Sequence, residues 1–202
     1  MGFRLQPAEL CLTVDFHSAF DNLLCRRVNI LQALEHISHD RHLPLLVIGG
    51  HAVVASGYRR TTDDLDIVVV KDHREIMESI GYRLVSDQPT FAQFRPSQPW
   101  EWPVDLTFVS GETFLKLSRG AVEATIHDTK VRIPSPEHLI ALKLHSLRHG
   151  PPRRESVDLT DIIEIIAANK IDVNSDKFRE VCDRFGTIEL YERIKAAAAK
   201  KR

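Results

Sequence analysis

The stretch Leu45-Leu46-Val47-Ile48-Gly49-Gly50-His51-Ala52-Val53-Val54, followed by Arg60-Thr61-Thr62-Asp63-Asp64-Leu65-Asp66-Ile67-Val68-Val69-Val70, carries the clearest signals in the chain. Its first half reads as a buried apolar strand over 45–48 that stops at a diglycine turn. A short helix over 51–56 follows, closed by Gly57 in the manner of a C-cap. Its second half is a loop leading into another strand over 65–70. Side chains alternate along a strand, so Asp64 and Asp66 are predicted to share one face. Leu65, Ile67 and Val69 then share the other. Two like charges held side by side cost free energy unless a cation joins them. A divalent metal carrying a nucleotide meets that need.

Downstream, Val104-Asp105-Leu106-Thr107-Phe108 reads as a further apolar strand with one carboxylate near its start. If this strand neighbours the first pair, Asp64, Asp66 and Asp105 form one group. Transfer of a phosphoryl-linked group at two metals needs such a group. A seven-residue helix spans roughly 10 Å. Gly49 and Gly50 can therefore border the same cleft, where small residues let the backbone approach phosphates. Taken singly, each feature has a plainer reading: a solvated strand end, a structural Asp, a turn. The argument rests on their order and spacing.

The rest of the chain surrounds this centre with helices. A helix is predicted over 18–37 from the spacing of Phe20, Leu23, Leu24, Val28, Leu31 and Leu34. An amphipathic helix over 73–80 turns Ile76, Met77 and Ile80 inward. Short strands are expected over 82–85 and 91–94, and a hairpin over 124–133 turns at Asp128-Thr129. Trp100 and Trp102 fall in a Pro-bounded turn, read as packed. Ser135 caps a helix that has Pro136 at its first position and runs to about residue 148. Pro151-Pro152 interrupts it, and helices follow at about 156–168, 175–185 and 187–198. The fold class is therefore α+β, with strands first and helices last. The expected division is 1–134 for the core with its N-terminal helix and 135–202 for a C-terminal helical region.

The 202 residues, 43% hydrophobic and 27% charged, suit a globular protein with a sizeable core. A net charge of -1 excludes a bulk-basic nucleic-acid binder, so any RNA contact must come from a local patch. Three widely spaced cysteines, Cys11, Cys25 and Cys182, contain no metal-binding pair and read as reduced thiols of a cytoplasmic protein. No apolar run is long enough to span a membrane. His145 and His149 have helical i, i+4 spacing but no third ligand nearby. Lys143, beside an apolar stripe, reads from its helix alone as a snorkelling lysine. Arg153 and Arg154 follow the Pro-Pro break; pairing with Asp158, four residues past Arg154, and binding of phosphate are equally open readings for them.

The pattern Gly49-Gly50-x-Ala52, Arg60-x-Thr62-x-Asp64-Leu65-Asp66 and a later strand bearing Asp105 resembles the DNA polymerase beta-type nucleotidyltransferase superfamily. Within it, the chain is similar to AbiEii-like proteins, toxins of type IV toxin–antitoxin systems. Ile133-Pro134-Ser135-Pro136-Glu137 through Lys143 is similar to that family's lysine-bearing helix. Arg154-x-x-x-Asp158-Leu159-x-Asp161 is similar to its later motif. The resemblance covers about residues 28–190. It implies a polymerase beta-type core with a mixed sheet and a C-terminal helical part. It implies a nucleotidyltransferase that uses Mg²⁺, as two ions, and binds a nucleoside triphosphate such as ATP. Asp64, Asp66 and Asp105 would hold metal. Gly49, Gly50, His51, Arg60, Thr62 and Lys143 would bind nucleotide, and Asp158 would act as a base or positioning group. The leading acceptor is an RNA 3′ end such as that of tRNA, and the leading partner a cognate antitoxin. A small-molecule, antibiotic-type transferase and a catalytically idle binding module remain open. One departure stands out: many relatives place Ser or Thr after the diglycine, where this chain has His51.

Overall fold

The computed structural model describes residues 29–70, 73–150 and 152–201. The elements in order are α1 (Ile30–Arg41), β1 (Leu45–Val47), α2 (Gly49–Ala55), β2 (Leu65–Val69), α3 (Arg74–Ser79), β3 (Arg83–Gln88), β4 (Phe91–Arg95), β5 (Val104–Phe108), α4 (Gly111–Ser118), β6 (Val122–Ile126), β7 (Thr129–Ile133), α5 (Pro136–His149), a 3₁₀ turn (Pro152–Arg154), α6 (Glu155–Asn169), α7 (Asp176–Phe185) and α8 (Ile188–Lys201). Five strands form one sheet in the order β1-β2-β5-β4-β3, and β6 and β7 form a separate hairpin. The sheet is mixed. β2 and β5 run parallel, and the other pairs run antiparallel. A parallel pair needs a crossover, which residues 70–103 supply through α3 and the β3–β4 hairpin.

The period-two pattern of β2 sorts its side chains between two cores. Leu65, Ile67 and Val69 enter the larger core with Val104, Leu106, Ala92 and Phe94 of the neighbouring strands. Residues from α5 to α8, including Leu144, Ile162, Cys182 and Ile194, complete that core. Val68, one residue out of phase, joins a small cluster with Leu46, Phe114 and Leu117 on the opposite face. That face is thus covered by α4 over the C-terminal part of β2. The carboxylates lie on the same face at its N-terminal end, where no apolar cluster continues. Among the described residues, no helix is long and apolar enough to cross a membrane. Cys182 is buried and free, and burial pushes its thiol up to about 12. Cys11 and Cys25 lie outside the described residues.

Four local expectations need correction. The helix expected over 18–37 has its N-cap at Asn29, whose side chain accepts from the Gln32 N–H, and it runs on to Arg41. Residues 18–28 lie outside the described residues. The diglycine is not a turn ahead of the helix but the first turn of α2 itself, with Gly49 at φ +60°. Strands β3 and β4 are longer than predicted, because they pair with each other as a hairpin and share ladder bonds beyond their apolar cores. The β6–β7 turn centres on His127-Asp128, one residue early, with both at positive φ as a two-residue hairpin turn demands. The cap of α5 is as expected: the Ser135 hydroxyl accepts from the His138 N–H, and Pro136 opens the helix.

Ile67 is fully buried at the centre of the larger core and points away from the carboxylate face. Replacing it with alanine is expected to lower the unfolding free energy by about 2–5 kcal/mol, read from urea denaturation.

Candidate active site

The parallel register of β2 and β5 places Asp66 directly opposite Asp105. Asp64, two residues before Asp66, sits on the same face. One oxygen from each of the three carboxylates lies within 4.8 Å of the others. Among the described residues, this is the group of three or more carboxylate, imidazole or thiol side chains with the spacing of a metal site. His145 and His149 do approach, with ring centroids 4.6 Å apart, but they gain no third ligand.

Crowding and burial set the charge of this group. Asp66 is pushed up to about 6, first by burial and then by Asp64 and Asp105, against the pull of Arg154 and Lys143. Its Oδ2 is buried and, among the described residues, has no hydrogen-bond partner. Burial also raises Asp105, helped by Asp64. Gln93 on β4 opposes that rise, because its amide donates to Asp105 Oδ2 at 3.1 Å and lies 3.3 Å from Oδ1. Arg95 and Arg154, both exposed, oppose it as well. Hard oxygen ligands, net negative charge and an orphaned buried oxygen are what a divalent cation satisfies. The residues present therefore fit a metal of the Mg²⁺ type.

The glycines are pressed against this centre. A Cβ on Gly49 would overlap the Asp66 carboxylate, and its positive φ disfavours any side chain. A Cβ on Gly50 would overlap Thr62 and crowd the Arg60 guanidinium. Thr62 in turn places its hydroxyl 3.4 Å from Asp64 Oδ1. Gly49, Gly50, Arg60 and Thr62 are thus gathered round the carboxylates.

Lys143 and Asp158 lie beneath them in a buried ionic network. The Lys143 ammonium donates to Asp158 Oδ1 at 2.6 Å and stands 2.8 Å from Asp161 Oδ2. Asp158 Oδ2 accepts from the Ser146 hydroxyl at 2.7 Å. Asp161 also takes Arg60, whose Nε lies 2.9 Å from Oδ1 and whose Nη2 donates to Oδ2 at 3.1 Å. Two cations and two anions balance. The pairing of Arg154 with Asp158 expected from helical spacing is replaced by Lys143 and Ser146, which approach from α5. Lys143 is no snorkelling surface lysine, since its side chain is only 8% exposed.

His51 sits at the edge of the same centre and is 5% exposed. Its ring packs on Trp102 at 4.2 Å between centroids, and Trp102 packs edge-on to His127 at 4.6 Å. Burial, with His127 and Arg60, holds the His51 imidazole down to about 4, although Asp64 pulls the other way. The residues that sequence reading did not single out here are Gln93 and Arg95, and Asp161 figures in the later motif without a role of its own. Asp161 stands three residues past Asp158, one helical turn on, which is a signal for a shared helix face. Gln93 and Arg95 show theirs only once β4 is registered on β5.

Two outcomes follow. In the folded, metal-free protein Asp66 keeps its proton up to about pH 6, whereas the unfolded chain releases it near 3.8. The stability contributed by that proton is present below the unfolded value and is lost as pH rises through about 6. Metal-free Asp66→Asn is therefore expected to be more stable than the parent near neutral pH, by about 3 kcal/mol. The gap should close below about pH 4, as followed by thermal melting across pH. Asp161→Asn removes one anion from a buried network that holds two cations. It is expected to cost about 3–5 kcal/mol of stability in urea denaturation.

No curated protein sequence is detectably similar to the chain. Among solved structures, it is similar to an antigenic nucleotidyltransferase-like protein from Paracoccidioides brasiliensis. That match has a TM-score of 0.52 and 19% identity, and covers 84% of this chain and 90% of the other. It is also similar to the antibiotic-resistance factor ANT(2″)-Ia, at TM-score 0.51 and 19% identity, covering 85% and 90% of the two chains. A second structure of ANT(2″)-Ia, in complex with adenylyl-2″-tobramycin, matches at TM-score 0.50 and 19% identity, covering 85% and 96%. At these identities the likeness speaks for the fold, which is that of polymerase beta-type nucleotidyltransferases. The family model described as nucleotidyl transferase AbiEii toxin, type IV TA system, matches residues 32–202. The chain belongs to the AbiEii family and is a nucleotidyltransferase.

Proposed function

We propose that the protein uses Mg²⁺ to transfer a nucleotidyl group from a nucleoside triphosphate to the 3′ hydroxyl of an RNA such as tRNA. In this reading it acts as the toxin of a toxin–antitoxin pair. The observation that carries the chemistry is the convergence of Asp64, Asp66 and Asp105, with the Asp66 Oδ2 left unpartnered. The family, described as a type IV toxin, supports a cognate antitoxin as partner; the RNA acceptor rests on the resemblance set out from the sequence.

Each residue has a role that its surroundings support. Asp64 and Asp66 would hold the cations that accompany the triphosphate, and Asp105 would complete the site next to the acceptor hydroxyl. When bound, Mg²⁺ offsets the charge of the triphosphate and of the leaving pyrophosphate. Gln93 holds Asp105 in one orientation through its amide. Gly49 and Gly50 leave the backbone of α2 open to phosphate oxygens where a side chain would collide with Asp66 or Thr62. An ammonium has three donors. Asp158 and Asp161 engage two of those on Lys143, leaving the third for the triphosphate. Of the two roles expected of Asp158, positioning suits its partners better than proton abstraction, since both its oxygens already accept. Arg60 is tied to Asp161 beside Gly50, and Arg154 stands exposed near Asp66. These cations match an anionic substrate in a chain with no bulk positive charge.

The test is incubation of the protein with each labelled nucleoside triphosphate, Mg²⁺ and total RNA. A labelled RNA species is expected with the parent. Asp64→Asn and Asp66→Asn are each expected to lower the labelling rate at least a hundredfold, on the order of losing one transition-state charge contact. Expression in bacteria should slow growth, and both variants should relieve that. Label appearing on an aminoglycoside-type acceptor but never on RNA would replace the RNA reading with a small-molecule one. Unchanged growth inhibition by Asp64→Asn would separate toxicity from catalysis.

A further inference from the structure

Both tryptophans of the chain lie in the loop that leads into β5. Trp102 is half-buried, and Trp100 is 76% exposed. Trp102 forms a cluster with two imidazoles, buried His51 and exposed His127, whose own centroids lie 6.3 Å apart. The Tyr82 hydroxyl donates to the Trp102 carbonyl at 3.0 Å, and Asn29 donates to the His127 carbonyl at 3.1 Å. Four separate segments thus fix one aromatic surface. It stands next to the carboxylates, because the Asp64 and Arg60 charges both act on His51.

The second observation is the His51 Nε2. It is buried and, among the described residues, has no hydrogen-bond partner. An orphaned polar atom of this kind costs stability unless a ligand or water completes it. The position follows the diglycine, where a hydroxyl side chain would address phosphate. Here the ring is held neutral at ordinary pH and stacked on an indole. A neutral heterocycle with one open nitrogen suits an uncharged aromatic ligand better than a phosphate.

We propose that the Trp102–His127 surface, backed by His51, is a subsite on which a nucleobase stacks during nucleotidyl transfer. The inference deepens the transferase reading above and rests on it. The base belongs either to the donor triphosphate or to the RNA acceptor; both present the same π face, and stacking tolerates any base. Trp100, on the exposed rim of the same loop, is available to a second base of a single strand.

The test uses intrinsic tryptophan fluorescence, which reports on this loop alone. In the full-length Trp100→Phe protein, Trp102 is the sole reporter. Three probes are titrated with Mg²⁺ present: each nucleoside triphosphate, a short single-stranded RNA, and inorganic tripolyphosphate. Quenching by a nucleoside triphosphate assigns the subsite to the donor base, and quenching by the RNA assigns it to the acceptor. Tripolyphosphate should bind, seen as a higher melting temperature, without quenching. His127→Ala should weaken the quenching probe roughly five- to hundredfold, the range of one base–aromatic contact, and leave tripolyphosphate binding unchanged. Equal quenching by tripolyphosphate overturns this inference alone. So does His127→Ala binding as tightly as the parent, or a melting shift with nucleoside triphosphate that leaves Trp102 fluorescence unmoved. Absence of binding by all three probes overturns it together with the transferase reading.

Discussion

The parallel pairing of β2 with β5, in the register that sets Asp66 against Asp105, is the constraint on which the rest of the structure depends. A parallel ladder keeps facing residues on the same side of the sheet. Two carboxylates are therefore brought together by backbone hydrogen bonds that neither can break alone. Asp64 joins them through the period of the strand. The repulsion is held in place by the apolar residues alternating with these carboxylates: Leu65, Ile67, Val104 and Leu106 are all fully buried. One slip of register would move those side chains into water and the carboxylates into the core. The core thus enforces the proximity that a metal would relieve.

The surrounding residues show the same economy of charge. The larger core carries the helices α5 and α6 against the sheet, and their facing sides deliver Lys143, Asp158 and Asp161 to the region under the carboxylates. A lone buried lysine would lose its proton or destabilise the fold. Two aspartates and an ordered hydroxyl make its position tolerable. Arg60 extends the network to the loop that carries Asp64, so that this loop is tied to α6 by a buried ion pair. Helical packing and the geometry of the Asp64 loop are therefore coupled through Asp161. A change in how α6 seats on α5 would be felt at the carboxylates.

Much of this was legible in the sequence, for physical reasons that can be named. The period-two alternation of 64–69 separates faces whatever the partner strand is. The Ser135-Pro136 start of α5 and the apolar spacing after it are local signals that need no tertiary context. The carboxylate trio was legible because each member sits at the start of an apolar strand. Other features depend on register or packing. Gln93 meets Asp105 only because β4 lies antiparallel to β5 in one register. The partner of Asp158 is another such feature: helical spacing offers only Arg154, whereas the tertiary fold brings in Lys143 from another helix. A diglycine reads as a turn because glycine usually ends elements. Here the close approach of Asp66 to Gly49, rather than the need to stop a helix, explains the missing side chain.

His51 shows how a departure from a family pattern can be absorbed. A serine or threonine after the diglycine is small and polar and needs no support. An imidazole at that position is too large to stand free against the carboxylates, and a charged one would be expensive to bury. The fold accommodates it as a neutral ring packed on Trp102, with the β6–β7 turn supplying His127 alongside. That arrangement engages two loops that a hydroxyl side chain would leave apart. It also gives the cleft an aromatic wall next to its anionic floor. The imidazole therefore changes what the cleft presents to a ligand, while Gly49, Gly50 and the three carboxylates stay closely packed against one another.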